Sequence, residues 1–585
     1  MAKEEASFSG FAYQYFGWIG RPLSRFFYMG GRLRVAEDLE SAGLKVYPEA
    51  YFSLLGFFLI LFIIVSIPIA LVTGVLPLML LPLVVLLLGY AVPKVLAQDR
   101  ASKLDMEVPF AGAYISVMAT GGLAPYASLR KLRSCPLLPN ISSAVRNIEV
   151  DVQVKGYDPV SAMEKSAENL PSKDYKDLMM GYASSLRTGG DVIHYLLIRT
   201  ETMFRDLAVK VKAFGERAAT LMESYIAISI LVTLSLTILF MTSMAFSQYW
   251  TGFFTAENFL IYSYFIVPAI SMLFIYLADM SHFHEPVNEY GPYKVFLATL
   301  PILILLLTTM FLPFAAPEIA PAFAKPFANA IVTLRKALGL ERGYEAALGI
   351  AIPLIVCTIP AALAHRYYAK RGKGLESDIT NFLRDLTETR KTGAPPEKCI
   401  EVLSKRSYGD FTKHLSTASR QIRWGLPFKT IYETLKSKIK SWLPLINMYL
   451  LVDAIEVGGG SPETLETLTK FSEMFTSLEK EKKAMLRPLL IMPYIGAAIL
   501  IFSSIIFLGF MRAVMYSFSH QTVAFAQFAT LLLPPLILQV YLTGLVTGKI
   551  SSGTLSTGFK HATILTFAAL VITVVMAYIN MPIQW

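Results

Sequence analysis

Nine apolar stretches, each long enough to cross a bilayer, leave this chain little choice of fold. A span needs about 20 apolar residues to cover the roughly 30 Å hydrocarbon layer. The stretches fall at about residues 52–73, 75–93, 225–246, 259–278, 295–316, 346–364, 488–511, 523–547 and 561–580. Inside hydrocarbon every backbone amide and carbonyl must find an internal partner, and runs of this length do so as helices. Composition agrees, with 54% hydrophobic and only 16% charged residues and a mean hydropathy of +0.51. The expected fold is all-α and polytopic. The first 49 residues are mixed, aromatic and charged, so no cleavable signal peptide is expected there.

The basic residues orient the spans. Of 53 Lys and Arg, 6 precede the first span, 17 lie in residues 93–224 and 22 in 366–487, whereas the short loop 247–258 has none. By the positive-inside rule the N-terminus and both charged segments are cytoplasmic, and the C-terminus is outside. The net charge of +10 is accounted for by this topology signal and by the second charged segment, so nucleic acid is not expected as a partner. Expected domains are a cytoplasmic segment 1–49, a transmembrane pair 50–93, a first cytoplasmic helical bundle 94–224 and three transmembrane helices in 225–316. An extracytoplasmic loop 317–345, a transmembrane helix 346–365, a second bundle 366–487 and three further transmembrane helices in 488–585 follow.

The two charged segments repeat one pattern of punctuation. Gly122 and Pro125 recur, at one shared offset, as Gly393 and Pro396. Gly156 recurs as Gly425 and Gly189 as Gly458, again at a single offset that is shorter than the first by only two positions; Pro159, Gly190 and Gly459 extend the pattern. Such a period marks a module built twice. Apolar residues recur at three- and four-residue steps within each module, as in Leu196, Met203, Phe204, Leu207, Val211 and Phe214, or Leu465, Leu468, Phe471, Phe475 and Leu478. Glycine suits the left-handed residue that ends a helix, and Pro or a capping side chain suits the next start. Asp158-Pro159, Asp191 and Ser461-Pro462-Glu463 read as such starts. Three breaks predict about four helices per module, the last running directly into a span near 225 and near 488. At least one glycine of each third break is expected at positive φ.

Chemistry at depth is not evident. An ionisable side chain at the bilayer centre costs roughly 2.5–3.5 kcal/mol or more and is kept for use; Asp279, Lys294, His365 and Arg512 all fall at span edges. Gly544 to Lys549 (GLVTGK) has the wrong spacing for a phosphate-binding loop, and Gly189-Gly190-Asp191 is not a membrane-embedded protease motif. Asp279, His282, His284 and Glu285 lack a metal-binding frame. Cys135, Cys357 and Cys399 form no CxxC pair. No enzyme activity, cofactor or metal is expected.

The repeated segments GGLAPYASL (121–129) and TGAPPEKCI (392–400), KGYDPVSAM (155–163) and WGLPFKTIY (424–432), LRTGGDVIHYL (186–196) and IEVGGGSPETL (455–465) resemble the type II secretion system F domain. Two such modules with nine spans look most like the archaeal membrane platform of archaella and type IV pili, as does LESAGLKVYPEAYFSLLGF (39–57). The resemblance implies a platform in the cell membrane. It implies a cytoplasmic secretion ATPase docked below, pilin or archaellin subunits lifted into a filament above, and membrane lipids or a second copy as further partners. Bacterial members often carry an acidic residue beside the third glycine; Arg187 and Glu456 occupy the matching places here, and no coupling role is carried over to either. Candidate docking residues are the cationic clusters Arg130, Lys131 and Arg133, Lys405 and Arg406, and Lys436, Lys438 and Lys440. The alternative is a solute transporter or channel using the Pro-broken spans.

Overall fold

The computed structural model describes residues 46–73, 81–245, 256–281, 290–372, 374–439, 441–519 and 522–579, with residues 39 and 42. Among the described residues all regular structure is helical, as the long apolar runs and the 3.6-residue pattern dictate. Seven helices among the described residues are long and apolar enough to cross a membrane: Val192–Phe240, Asn258–Ser281, Gly291–Ala315, Glu345–Ala369, Pro462–Ala513, Ala526–Ser552 and Leu555–Val575. They coincide with seven of the nine expected spans. The other two fall on helix Pro48–Thr73 and on the first part of helix Leu81–Thr120.

Two compact units make up the chain, Met1–Arg205 with Leu450–Leu468 and Asp206–Tyr449 with Thr469–Trp585. The first holds most of the first module. There, Leu81–Thr120 continues unbroken through Pro93 and Pro109, and is followed by Pro125–Lys131, Pro139–Gln153, Pro159–Asn169, Lys173–Thr188 and the long helix that starts at Val192. Ile115, Leu132, Ile141, Met163, Leu178 and Leu196 are wholly buried among them, and Phe110 and Phe204 meet edge to face at 5.5 Å.

In the second module the helices are Leu375–Lys391, Pro396–Leu403, Phe411–Arg423, Phe428–Lys438, Trp442–Gly458 and Pro462–Leu486. Each module is thus built from six helices rather than the four expected from three glycine breaks. The additional breaks carry other punctuation: Pro136 with Pro139 and Leu170-Pro171-Ser172 in the first copy, Tyr408-Gly409 and Ile439 to Ser441 in the second. Proline removes a donor, and a serine cap competes for the first amides, so each stops a helix as firmly as glycine does. Entry to the second module also differs, because Gly374 at φ +88° separates Glu345–Gly372 from Leu375–Lys391.

The second unit contains the core of the membrane region, formed by Leu532, Leu533, Leu536, Ile537 and Val540 with Ala351, Leu354, Leu500, Ile505, Leu565 and Ala569. Here the GLVTGK string has a structural role. A methyl on Gly544 would run into Ala562 Cα, and one on Gly548 into the Gly558 amide nitrogen. The two backbones therefore touch along a small-residue face, the arrangement that packs membrane helices tightly. Lys549 is held by Asp279 and donates to the Gly553 carbonyl at 2.8 Å. His282, His284 and Glu285 lie outside the described residues.

Candidate functional site

The candidate site is the set of contacts that hold each module together and pass it into the membrane. It begins on the first helix of each copy, where two acidic residues two apart reach across to the starts of other helices. Glu107 accepts from the Asn140 and Ile141 amides, both at 2.9 Å, and from Asn140 Nδ2 at 2.6 Å, so it caps helix Pro139–Gln153, whose own N-cap, Leu138, has no side chain able to do so. The repeat-equivalent residue, at the offset that takes Gly122 to Gly393, is Asp378. It accepts from the Asp410 amide at 3.1 Å and from the Phe411 amide at the start of Phe411–Arg423. Asp105 likewise accepts from the Ser172 hydroxyl, and its counterpart Glu376 accepts from the Ser441 hydroxyl at 3.2 Å, each serine standing just before the fifth helix of its module. One acidic pair thus fixes two helix starts, twice.

Burial sets the electrostatics of these anchors. Glu107 is 1% exposed, and loss of water pushes its carboxyl up to about 7 even though three donors oppose the shift. Burial also raises Asp378, against the Phe411 and Asp410 amides. The first and last helices are joined by hydroxyls at equivalent places: Ser116 with Thr200 at 3.3 Å, and Thr387 with Thr469 at 2.9 Å. Tyr114 of the first copy donates to Asp453 of the second at 2.7 Å. The acidic pairs were missed in the sequence because charges on a cytoplasmic helix read as solvated; carrying the offset of the first glycine pair along the whole helix would have matched them.

The glycine breaks lie between these anchored helices. Gly122 and Gly393 have φ of +83° and +89°, Gly156 and Gly425 +72° each, and Gly189 +69°. Gly189 closes Lys173–Thr188, with the Gly190 amide reaching back to the Ser185 carbonyl at 3.0 Å. In the second copy Gly458 is the last helical residue, and the left-handed positions are Gly459 and Gly460, at +62° and +58°. The third pair is therefore Gly189 and Gly459, one position beyond the simple offset. Pro125, Pro159 and Pro396 each open the next helix. Asp158 accepts from the Val160 and Ser161 amides, Asp191 from His194, and Ser461 from Thr464.

Both modules then lead directly into spans, through Val192–Phe240 and Pro462–Ala513, the second bending at Arg487 and passing through a short 3-10 turn at Pro488–Leu490. The two exit helices meet. A methyl on Gly215 would stand 3.0 Å from Met485 Sδ, and one on Gly496 would run into Ile230 Cδ1 and stand 3.4 Å from Ile226 Cγ2. The sequence separation of Gly215 from Met485 equals that of Ile226 from Gly496 and falls between the two offsets of the glycine breaks. Equivalent positions of the repeat therefore touch along parallel helices. Just beyond, the first exit helix widens into a π turn at Ala227–Val232. Gln539 donates through Nε2 to the Ser229 carbonyl, to Ser229 Oγ at 2.8 Å and to Thr233 Oγ1 at 3.2 Å; Tyr225 and Thr543 hydroxyls are 3.0 Å apart. A second π turn, Tyr262–Ile266, flanks a crevice lined by Thr233, Thr237, Phe259, Ser263, Val267 and Gln539. π turns are concentrated where helices serve function.

The cationic clusters lie apart from this path. Arg133 pairs with Glu149, Arg406 with Asp385 at 2.9 Å and Lys436 with Glu433 at 3.6 Å, while Arg130, Lys405 and Lys438 are exposed and Lys131 is half-buried. Lys440 lies outside the described residues. Arg187 pairs with Glu164 at 2.9 Å. Beside the second glycine break of each module, Val154 and Trp424 are exposed apolar side chains.

Comparison with known proteins places these features. Residues 113–240 and 382–509 each match the family described as type II secretion system (T2SS), protein F. The starts of the two matched segments are separated by the same offset as Gly156 and Gly425, and each segment takes in an exit helix. The chain thus carries two domains of the type II secretion F family in a multi-pass membrane protein whose described residues form helices as their only regular structure. An uncharacterized protein of Methanocaldococcus jannaschii is 21% identical over 426 residues, covering 68% of each chain. No solved structure matches.

Proposed function

We propose that this chain is the membrane platform of a type IV pilus-like filament machine, whether archaellum, pilus or secretion pseudopilus. Its two F modules face the cytoplasm and receive a secretion ATPase, and pilin-like subunits are drawn from the bilayer into the filament beside the spans. The protein performs no catalysis of its own; it transmits motion. The observation that carries this reading is the pair of exit helices, touching at repeat-equivalent positions and leading side by side into the spans, the first through a π turn at Ala227–Val232 and the second through a bend at Arg487. A tilt or rotation of a module anchored by Glu107 or Asp378 would move the cytoplasmic part of its exit helix and, through the π turn at Ala227–Val232 or the bend at Arg487, the span that follows.

The polar seam at Ser229, Thr233 and Gln539 supports the same reading. It lies where the first exit helix enters hydrocarbon, and hydroxyl and amide partners can exchange there without leaving a charge unpaired. Deleting the chain from its cell, with complementation, tests the reading. The expected result is loss of one class of surface filament while its subunits accumulate in the membrane. Intact filaments together with loss of uptake of a solute would establish the transporter alternative instead.

A further inference from the structure

The connection between spans Gly291–Ala315 and Glu345–Ala369 contains helix Lys325–Ala337, preceded by a short turn at Ala322–Ala324. At roughly 100° per residue its side chains fall into three stripes. Ile331 and Arg335 are buried against the protein, and Arg335 pairs with Glu345 at the start of the next span at 3.1 Å. Phe323, Phe327 and Leu334 form a second stripe, with exposures of 59%, 45% and 38%. Lys325, Asn329 and Lys336, all exposed, form a third stripe on the side opposite the aromatic one. Basic residues in the segment 319–338 are Lys325, Arg335 and Lys336, and it has no acidic one.

We propose that helix Lys325–Ala337 is an interfacial helix that lies on the lipid surface, with Phe323, Phe327 and Leu334 in the acyl boundary and Lys325 and Lys336 among anionic headgroups. A soluble loop would have no reason to present two phenylalanines and a leucine to water in one stripe. A helix bound only to protein would bury them. The three-sided arrangement meets protein, hydrocarbon and water at once, which is what a helix parallel to the bilayer plane requires. The neighbouring span Gly291–Ala315 is almost wholly unburied within the protein, so the apolar stripe continues a surface already given to lipid. With Arg335 tied to Glu345, the helix would set how deep the following span sits.

The test uses the full chain in vesicles of equal parts phosphatidylcholine and phosphatidylglycerol. Single nitroxide labels are placed by Phe327→Cys, Leu334→Cys, Asn329→Cys and Lys336→Cys; the three native cysteines are buried and resist labelling. Two apolar-stripe positions are used so that one poorly folding variant does not decide the outcome. Power saturation is expected to show labels at 327 and 334 severalfold more accessible to oxygen than to an aqueous nickel chelate, with the order reversed at 329 and 336. Nickel access at all four positions, meaning water, would overturn the proposal. So would exclusion of both reagents at 327 and 334, meaning that a protein surface covers the stripe.

Discussion

Glu107 carries the module's sharpest residue-scale consequence. A carboxyl raised from the ordinary range to about 7 binds a proton more readily folded than unfolded. Stability on its account is therefore greatest below the unfolded value and falls as pH rises through about 7, by roughly 3 kcal/mol at most, since each pKa unit is worth about 1.36 kcal/mol. In Glu107→Gln this contribution vanishes: the melting temperature of the variant, followed from pH 5 to 8, should decline less than that of the wild type. An identical decline would assign the pH dependence to other groups. At the third break, Gly459→Val should lower the melting temperature more than Gly458→Val. A side chain at φ +62° costs about 1–2 kcal/mol, whereas Gly458 is helical, where valine is no worse a helix former than glycine. Nothing stands within 4 Å of a methyl at Gly459, so that cost is conformational. Both residues were conspicuous in the sequence as part of a glycine triplet, but which of the three turns left-handed depends on where Trp442–Gly458 runs out, and spacing alone does not say. Glu107 was not conspicuous at all, because its partners Asn140 and Ile141 belong to a helix far along the chain.

Among the elements, the hairpin of Thr522–Ser552 and Leu555–Ile579 depends on backbone contact at Gly544 and Gly548. Gly548→Val must push Gly558 away, and overpacking of this kind costs roughly 1–3 kcal/mol or more; heating in detergent should aggregate the variant several degrees below the wild type. An unchanged profile would mean that the two helices do not touch there. Element types were legible throughout, since apolar runs and three- and four-residue steps have only a helical reading. Element number was not. Breaks made by Pro136, Pro171 and Ser172 carry no glycine, so six helices read as four, and helix Lys325–Ala337 read as loop because it is short and lies between two stronger signals. The first exit helix is continuous as the sequence reads; the second bends at Arg487 ahead of Pro488, and the contact of the two through Gly215 and Gly496 was not legible, as a glycine inside a helix shows what it approaches only when the partner is in place.

For the molecule as a whole, the repeat supplies both the resemblance and the proposed mechanism: two F modules and two exit helices that meet at Gly215 and Gly496. The repeat period was readable directly, as were the seven long spans, and the family match at 113–240 and 382–509 follows the same period. Where a motor would grip is less visible in sequence, because Arg406 and Lys436 are engaged with Asp385 and Glu433 on their own module. If the exposed cations around these turns still meet an acidic surface, then Lys405→Glu, Arg406→Glu, Lys436→Glu and Lys438→Glu together should weaken ATPase binding. The wild-type affinity should itself fall with salt, as charge pairs screened over about 8 Å require. Binding indifferent to both would move the contact to the exposed apolar side chains Val154 and Trp424. The most direct measurement is association of the purified full-length protein, in lipid, with the secretion ATPases of its own cell. The platform reading predicts a saturable complex with one of them; no binding to any, alongside solute flux in the same liposomes, would contradict it.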